Sequence, residues 1–271
     1  MSQTPPKILV FIPTYRCAAQ ITRVIEQFDS QSQSVVDTIM VVDNLSPDET
    51  LQKAIAKAQT HVTRCNFIAW KNDANYGLGG SHKAAFRYAI DHGFDYLVVL
   101  HGDDQGDFRD VVNLLAQGAH SQVDCLLGAR FMRGSQLKGY SGFRTFGNRV
   151  YNTLFSLATL RQLHDLGAGL NVYKLASFRE FYYKKFPDGL TFNYAMLLAS
   201  IRRKQALMFF PISWREEDQL SNVKLFSQAF KVLGMLAHYF FRPTAFLLSE
   251  MRGRAIESYT GKIVHQQRKQ A

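Results

Sequence analysis

Apolar positions in the first half of the chain fall into two alternating patterns. Continuous apolar runs occupy 8–13 (ILVFIP), 38–43 (TIMVVD), 66–70 (NFIAW), 96–101 (YLVVLH) and 123–130 (VDCLLGAR). Between them, over roughly 18–29, 48–59, 80–92 and 107–117, apolar residues recur at helical spacing. Buried strands separated by amphipathic helices predict a mostly parallel sheet covered on both faces, an α/β fold of Rossmann-like type. Right-handed crossovers then bring every strand's carboxyl end to one rim, where such sheets bind ligands.

Beyond residue 130 the alternation fades. Residues 133–149, rich in Gly, Ser and basic side chains, read as a long loop. A helix follows at 148–160, then the turn HDLGAGLNVYK into a strand, a helix at 190–203 and the strand QALMFFPI. A long amphipathic helix is predicted at 223–241, with Leu225, Phe226, Ala229, Phe230, Leu233, Leu236 and Phe240 at helical spacing and Lys224, Lys231 and Arg242 around them. This helix either closes the core or lies on an anionic bilayer, and the basic tail HQQRKQ suits both readings. The most membrane-like stretch, 232–249, is interrupted by His238, Arg242 and Pro243. A spanning helix needs roughly 20 mostly apolar residues, so contact with a membrane is expected here rather than passage through it. The expected organisation is a domain over 1–222, with a nucleotide half of about 1–125 and an acceptor half of about 126–222. A helical, membrane-associated segment over 223–271 follows.

Composition narrows the partners. The 46% hydrophobic content excludes broad disorder, and the net charge of +10 favours a nucleotide diphosphate, a phospholipid surface or nucleic acid. The basic residues are dispersed and match no nucleic-acid recognition motif, which sets that class last. Cys17, Cys65 and Cys125 form neither a CxxC pair nor a zinc spacing and read as buried free thiols in a reducing compartment. The N-terminal MSQTPPKILVFIP lacks an apolar signal core, so secretion is not expected and a cytoplasmic location is.

The residues at the predicted strand ends carry the chemistry. His101-Gly102-Asp103-Asp104-Gln105 ends a buried strand, where carboxylates need a cation, a donor or water. Oxygen ligands there suit Mg²⁺ or Mn²⁺ bridging a diphosphate; the competing reading is a polar turn capping the next helix at Asp107. Asp43 either accepts from a nucleobase or caps its turn, whereas Ser46 and Asp48 start the next helix. Asn75-Tyr76-Gly77-Leu78-Gly79-Gly80-Ser81 opens a helix and suits close backbone approach to a ligand with amides aimed at phosphate. Arg130, Arg144 and Arg215 lie near strand ends and suit phosphate, although a basic chain also has arginines to spare on its surface. His164-Asp165 supplies a base or ends a helix; His82, His92 and His238 read as surface or helix residues.

Taken in order, these segments resemble the family 2 glycosyltransferases, and within them the dolichyl- or polyprenyl-phosphate sugar synthases. KILVFIPTYRCAAQI resembles the opening strand and its P-T-Y/F-N-E turn, and TIMVVDNLSPDET the signature V-D-D-G-S-P-D-G-T. NYGLGGSHKAAFRYA is similar to L-G-L-G-x-A-x-x-x-G-x-x-x-A, and YLVVLHGDDQ to the strand ending in D-A-D-x-Q. GARF, DLGAGLNVYK and FFPISWR extend the likeness to about residue 225.

The resemblance implies a GT-A fold, a UDP- or GDP-linked sugar donor, Mn²⁺ or Mg²⁺, and transfer with inversion. Pro13, Thr14, Tyr15, Asp43, Asn44 and Gly77 would bind the nucleotide-sugar together with Asp103. His101, Asp103 and Gln105 would hold the metal, His101 standing where the family has aspartate and favouring Mn²⁺ over Mg²⁺. Arg130, Arg144 and Arg215 would bind an acceptor phosphate; Asp103 and Arg130 are the expected catalytic residues, joined by Asp165 as base if the acceptor is a hydroxyl. The acceptor implied is a polyprenyl phosphate or another lipid-linked or glycan molecule met at the cytosolic face of a membrane. The family's G-x-S-K acceptor pattern is LSNVK here. Two other readings stand beside this one: a nucleotidyltransferase making nucleotide-sugars, opposed by Pro13-Thr14-Tyr15-Arg16 in place of a Gly-rich basic loop, and a non-catalytic relative in which His101 abolishes metal binding.

Overall fold

This computed structural model describes residues 5–217 and 225–270. The chain runs β1 (Ile8–Thr14), α1 (Ile21–Glu26), α2 (Ser30–Ser34), β2 (Thr38–Asp43), α3 (Thr50–His61), β3 (Asn66–Asn72), α4 (Gly77–Asp91), β4 (Tyr96–Leu100), α5 (Arg109–Ala116) and β5 (Cys125–Ala129). It continues through β6 (Gln136–Lys138), α6 (Gly142–Thr159), β7 (Leu170–Lys174), α7 (Phe192–Arg202), β8 (Leu207–Pro211), β9 (Ser213–Arg215), α8 (Leu225–Phe241), α9 (Pro243–Leu248) and β10 (Gly261–Gln267).

One sheet carries the order β10-β3-β2-β1-β4-β7-β5-β8. β1 to β4 are mutually parallel, and β8 runs parallel to β5. β7 is antiparallel to both β4 and β5, so β5 keeps the direction of β4. Alternate residues of β1 feed opposite cores, as the period of two in a strand requires. Ile8, Val10 and Ile12 pack with α1, α3 and α5, while Leu9 and Phe11 pack with α4 and α7. The α/β architecture inferred from the apolar runs is therefore the one formed.

Several local differences have clear causes. The helix expected over 18–29 is shorter, Ile21–Glu26, and the Asp29 carboxylate, accepting from the Ser32 N–H at 2.8 Å, starts a separate helix after it. The loop expected over 133–149 holds β6 and the first turns of α6, which is anchored by buried Asn152 and Phe155 despite Gly142 and Gly147 near its start. The segment beyond 222 is not wholly helical: β10 returns to pair antiparallel with β3, Gly261 opposite Asn72 and Gln267 opposite Phe67. The LSNVK acceptor pattern and Lys224 lie outside the described residues. No helix among the described residues is long and apolar enough to cross a membrane. All three cysteines are buried and free, and burial pushes each thiol up to about 12.

Candidate active site at the strand rim

The carboxyl ends of β1 to β5 share one rim, and reversed β7 delivers residues 165–169 to it. β8 ends there too and passes through Ile212 into β9. The turn after β4 is fastened on two sides. Gly102 N–H donates to the Pro13 carbonyl at 3.1 Å, and His101 N–H to the Gly169 carbonyl at 3.0 Å. A Cβ on Gly102 would come within 2.5 Å of Thr14 Cγ2, and one on Gly169 within 2.8 Å of the His101 ring, so both glycines are there for space.

Adjacent carboxylates in this turn have different surroundings. Asp104 is fully buried with φ of 61°; it accepts from Arg23 Nε at 2.7 Å, Gln27 Nε2 at 3.0 Å and Arg215 Nη2. It therefore serves as a structural anion between α1 and β9. Asp103 accepts from the Gln105 N–H at 3.2 Å, and burial raises its pKa to about 6, the Gln105 donor partly offsetting that rise. Burial, aided by the charge of Arg130, lowers His101 to about 4, and its Nε2 is buried with no hydrogen-bond partner among the described residues. His101 is thus a neutral imidazole at neutral pH, with an unoccupied ring nitrogen.

No group of three or more His, Cys, Asp and Glu side chains among the described residues is arranged to hold a metal by itself. A divalent cation that draws most of its ligands from a diphosphate needs only one or two protein carboxylates. Asp103, the His101 Nε2 with no partner among the described residues, and the Gln105 amide are donors of the kind that such shared coordination uses.

On the nucleotide side most of the expected residues with polar side chains are held by their neighbours in the rim. Thr14 Oγ1 donates to the Val42 carbonyl at 3.1 Å. Both oxygens of buried Asp43 accept from the Ser46 N–H, at 3.3 and 3.1 Å, so the turn-capping alternative is realised. Asn44 Oδ1 accepts from Asn72 Nδ2 at 3.1 Å and the Tyr76 N–H at 2.8 Å, while its Nδ2 donates to Asn75 Oδ1 at 2.8 Å. Asn44 thereby joins the rims of β2 and β3, a function invisible without the fold. Leu45 adopts φ of 57° where the family motif has glycine. Tyr15 is 43% exposed, with the Arg16 guanidinium 5.3 Å from its ring centre.

The glycine-rich start of α4 does not present its amides to a ligand. Gly79 and Gly80 N–H groups donate to the Asp188 carbonyl at 2.7 and 3.3 Å, and a Cβ on Gly77 would lie 2.5 Å from that oxygen. The close backbone approach expected at Gly77 is therefore made by the 187–189 loop. Beneath it, buried Lys83 donates to Asp188 Oδ1 at 2.6 Å and Tyr259 Oη at 3.1 Å. His82, read as a surface or helix residue, is a buried helix residue beside Phe11, Phe192 and His101.

On the acceptor side Arg130 and Arg144 come together at Tyr140, whereas the Arg215 guanidinium is held by the carbonyl and carboxylate of Asp104. Arg130 Nε and Nη2 fork onto the two oxygens of Asp165, and Arg130 N–H donates to the same carboxylate at 2.9 Å. Burial alone would raise Asp165, but the Arg130 charge and these donors outweigh it and hold the carboxyl below its usual value. A carboxylate spent in this way is a poor proton acceptor, so the geometry does not suit the base role expected of Asp165. The Arg130 guanidinium lies 5.0 Å from the Trp214 ring centre and 6.0 Å from that of Tyr140; Arg144 is 4.8 Å from Tyr140. Arg144 Nη1 pairs with Glu216, which also accepts from Gln105 Nε2 at 3.4 Å. Arg215 N–H donates to the Gln105 carbonyl at 2.9 Å, tying β9 to the Asp103 turn. Sequence reasoning missed Tyr140, Trp214 and Glu216; the adjacency of Trp214 and Glu216 to Arg215 in ISWRE was the available signal.

The chain is similar to several known proteins over much of its length. Undecaprenyl-phosphate mannosyltransferase of Micrococcus luteus is 23% identical over 218 residues, covering 78% of this chain and 85% of that protein. Dolichol-phosphate mannosyltransferase of Pyrococcus furiosus is 25% identical over 138 residues, 51% of this chain and 37% of that protein. Among solved structures, Mycobacterium tuberculosis glucosyl-3-phosphoglycerate synthase superposes with a TM-score of 0.59 at 16% identity, covering 86% of this chain and 80% of that one. S. aureus TarS 1–349 with UDP-GlcNAc gives 0.58 at 14% identity, covering 90% and 76%. These likenesses establish the GT-A fold. Residues 9–182 match the family described as Glycosyl transferase family 2, and with that match the chain belongs to glycosyl transferase family 2.

Proposed function

We propose that this glycosyltransferase moves a hexose, mannose in the first instance, from a UDP- or GDP-linked donor to a polyprenyl phosphate, with inversion at the anomeric carbon. The observation that supports this most is the gathering of Arg130 and Arg144 around Tyr140, with Glu216, the partner of Arg144, joined through Gln105 to the Asp103 turn. The names of the Micrococcus and Pyrococcus relatives support the same acceptor class and sugar.

An acceptor phosphate is already an anion, so the reaction needs positioning and charge stabilisation more than a strong base. In this reading Arg144 exchanges Glu216 for the phosphate, and Arg130, fixed by Asp165, presents Nη1, which carries no bond to that carboxylate. Pro13, Thr14 and Tyr15 border the nucleoside with Asp43 behind them. Asp103, with His101 and Gln105 beside it, would hold Mn²⁺ or Mg²⁺ against the diphosphate. A glucosyl-3-phosphoglycerate synthase structure contains Mn²⁺ with UDP-glucose, which supports a cation of this kind. Bound there, the cation would offset charge on the departing nucleotide diphosphate.

The test is transfer from GDP-mannose and from UDP-glucose to undecaprenyl phosphate in detergent, with the product's anomeric configuration read by NMR. A β-linked sugar phosphate formed from the α-linked donor is expected. Sugar transfer confined to hydroxyl acceptors, or retention of configuration, would overturn the reading.

A further inference from the structure

α6 exposes a stripe of apolar side chains rather than a polar face. Phe143, Phe146, Val150, Leu154 and Leu157 recur at steps of three and four, and Phe143 and Leu157 are 77% and 68% exposed. Such spacing places them on one side of the helix, while Asn152 and Phe155 on the other side are buried. α8, on which α6 rests, repeats the arrangement with Phe230, Leu233, Phe240 and Phe241, Phe230 being 74% exposed. Two touching helices thus leave large apolar side chains in water, beyond the scattered exposure normal for a protein surface.

Along the two helices themselves the charge is one-sided. From Cys125 to His164 the chain has no Asp or Glu, and carries Arg133, Arg149 and Arg161 besides Arg130, Lys138 and Arg144, which pair with Asp165, Glu217 and Glu216. From Leu225 to Ser249 it again has no acidic residue, with Lys231 and Arg242 as its Lys and Arg residues. Apolar stripes edged by basic side chains complement a surface that is anionic outside and apolar beneath. They do not complement a second copy of the same face, where like charges would meet.

The geometry points to α6 and α8 together as a docking surface for an anionic lipid bilayer, seated by their apolar stripes and ringed by Arg149, Arg161, Lys231 and Arg242. The inference rests on the reading of a lipid-linked acceptor and assigns the membrane contact expected of 223–249 to a second helix as well. α6 begins at Gly142 and contains Arg144, so docking along it would bring Arg130 and Arg144 to the bilayer surface.

The experiment is flotation of the full chain with vesicles of phosphatidylcholine alone and of phosphatidylcholine mixed with phosphatidylglycerol, alongside metal-dependent donor hydrolysis. Wild type is expected to float with the mixed vesicles and to be released by high salt. Phe146→Ser/Leu157→Ser and Phe230→Ser/Phe240→Ser should each weaken binding by about tenfold or more, with donor hydrolysis kept. Arg149→Ser/Arg161→Ser should reduce the preference for phosphatidylglycerol. Wild type that hydrolyses donor but floats with neither vesicle, or stripe variants that float as well as wild type, would overturn the docking surface while leaving the enzymatic reading intact. Wild type that floats but transfers no sugar from any donor would overturn the enzymatic reading instead. A dimer in sedimentation that the stripe variants split, without vesicle binding, would assign the face to a second copy and overturn the inference.

Discussion

Arg130 and Asp165 form a two-pronged ion pair, Nε to Oδ2 at 2.8 Å and Nη2 to Oδ1 at 2.9 Å, with both side chains largely out of water. The pair joins the end of β5 to the segment entering β7 and fixes the guanidinium between Trp214 and Tyr140. Removing one member of a buried pair strands the other charge, at a cost of about 3–5 kcal/mol. Asp165→Asn should therefore lower stability to denaturant by that order, and lower turnover because Arg130 loses its orientation. Full stability with turnover alone lost would instead restore Asp165 as a reacting group.

Asp103→Asn separates chemistry from folding in the opposite sense. Burial raises the Asp103 pKa to about 6, so its charge at neutral pH opposes folding. The neutral variant is expected to melt at the same temperature as wild type or higher, while transfer falls on the order of 10²–10³-fold. Wild-type transfer in this variant removes Asp103 from the mechanism.

Arg144→Ala should raise the KM for the phosphate acceptor and leave the KM for the donor near wild type, because Arg144 reaches Glu216 and Tyr140 but none of the expected nucleotide residues. Steady-state kinetics with each substrate varied in turn reads this directly. Equal rises in both constants would place Arg144 on the donor side.

His82 makes the fold sensitive to acid. Burial, with His101 nearby, lowers its pKa from 6.5 to about 3. Between those values the unfolded chain binds the proton and the folded one does not, so this stability is present above about 6.5 and is lost as pH falls toward 3. Each unit of the difference is about 1.4 kcal/mol. His101, lowered to about 4, acts in the same direction; Asp103, raised to about 6, opposes both. Urea midpoints at pH 7.5 and 5 should therefore differ less in His82→Gln than in wild type. Identical differences would mean that His82 is not the group responsible.

Gly79→Ala tests the buried start of α4. A Cβ there would overlap the Pro187 carbonyl and lie 2.7 Å from Phe192 Cβ, so a loss of about 1–3 kcal/mol is expected despite alanine's better helix propensity. A stabilised variant would show that the 187–189 loop yields easily.

These features differ in how far they could be read from sequence. β1 to β5 were legible because each is a continuous apolar run buried on both faces, the property that hydrophobic patterning reports. β10 was not: KIVHQQ is an edge strand held largely by backbone pairing with β3, and its side chains carry little apolar signal. The first turns of α6 read as loop because glycines and basic residues dominate them, while the contacts that hold the helix lie further along. The strand-end positions of Asp103 and Arg130 followed from the alternation itself. The partners of the arginines did not, because Asp165 and Trp214 reach Arg130, and Asp104 reaches Arg215, across long separations with no local pattern. The glycines at 77–80 show the limit most plainly, since the same sequence suits a phosphate or a carbonyl, and here a carbonyl occupies the place.

The pairing of β10 with β3 also sets an order of assembly. β3 is synthesised early, but its outer neighbour begins at Gly261, opposite Asn72. At ribosomal rates of about 5–20 residues per second, roughly 10 to 40 seconds pass before that neighbour exists. During this interval β3 offers an unpaired edge, the kind of surface on which nascent chains associate wrongly. The nascent protein should consequently depend on slow growth temperature or on chaperones for its yield, even though the finished sheet conceals the vulnerable edge.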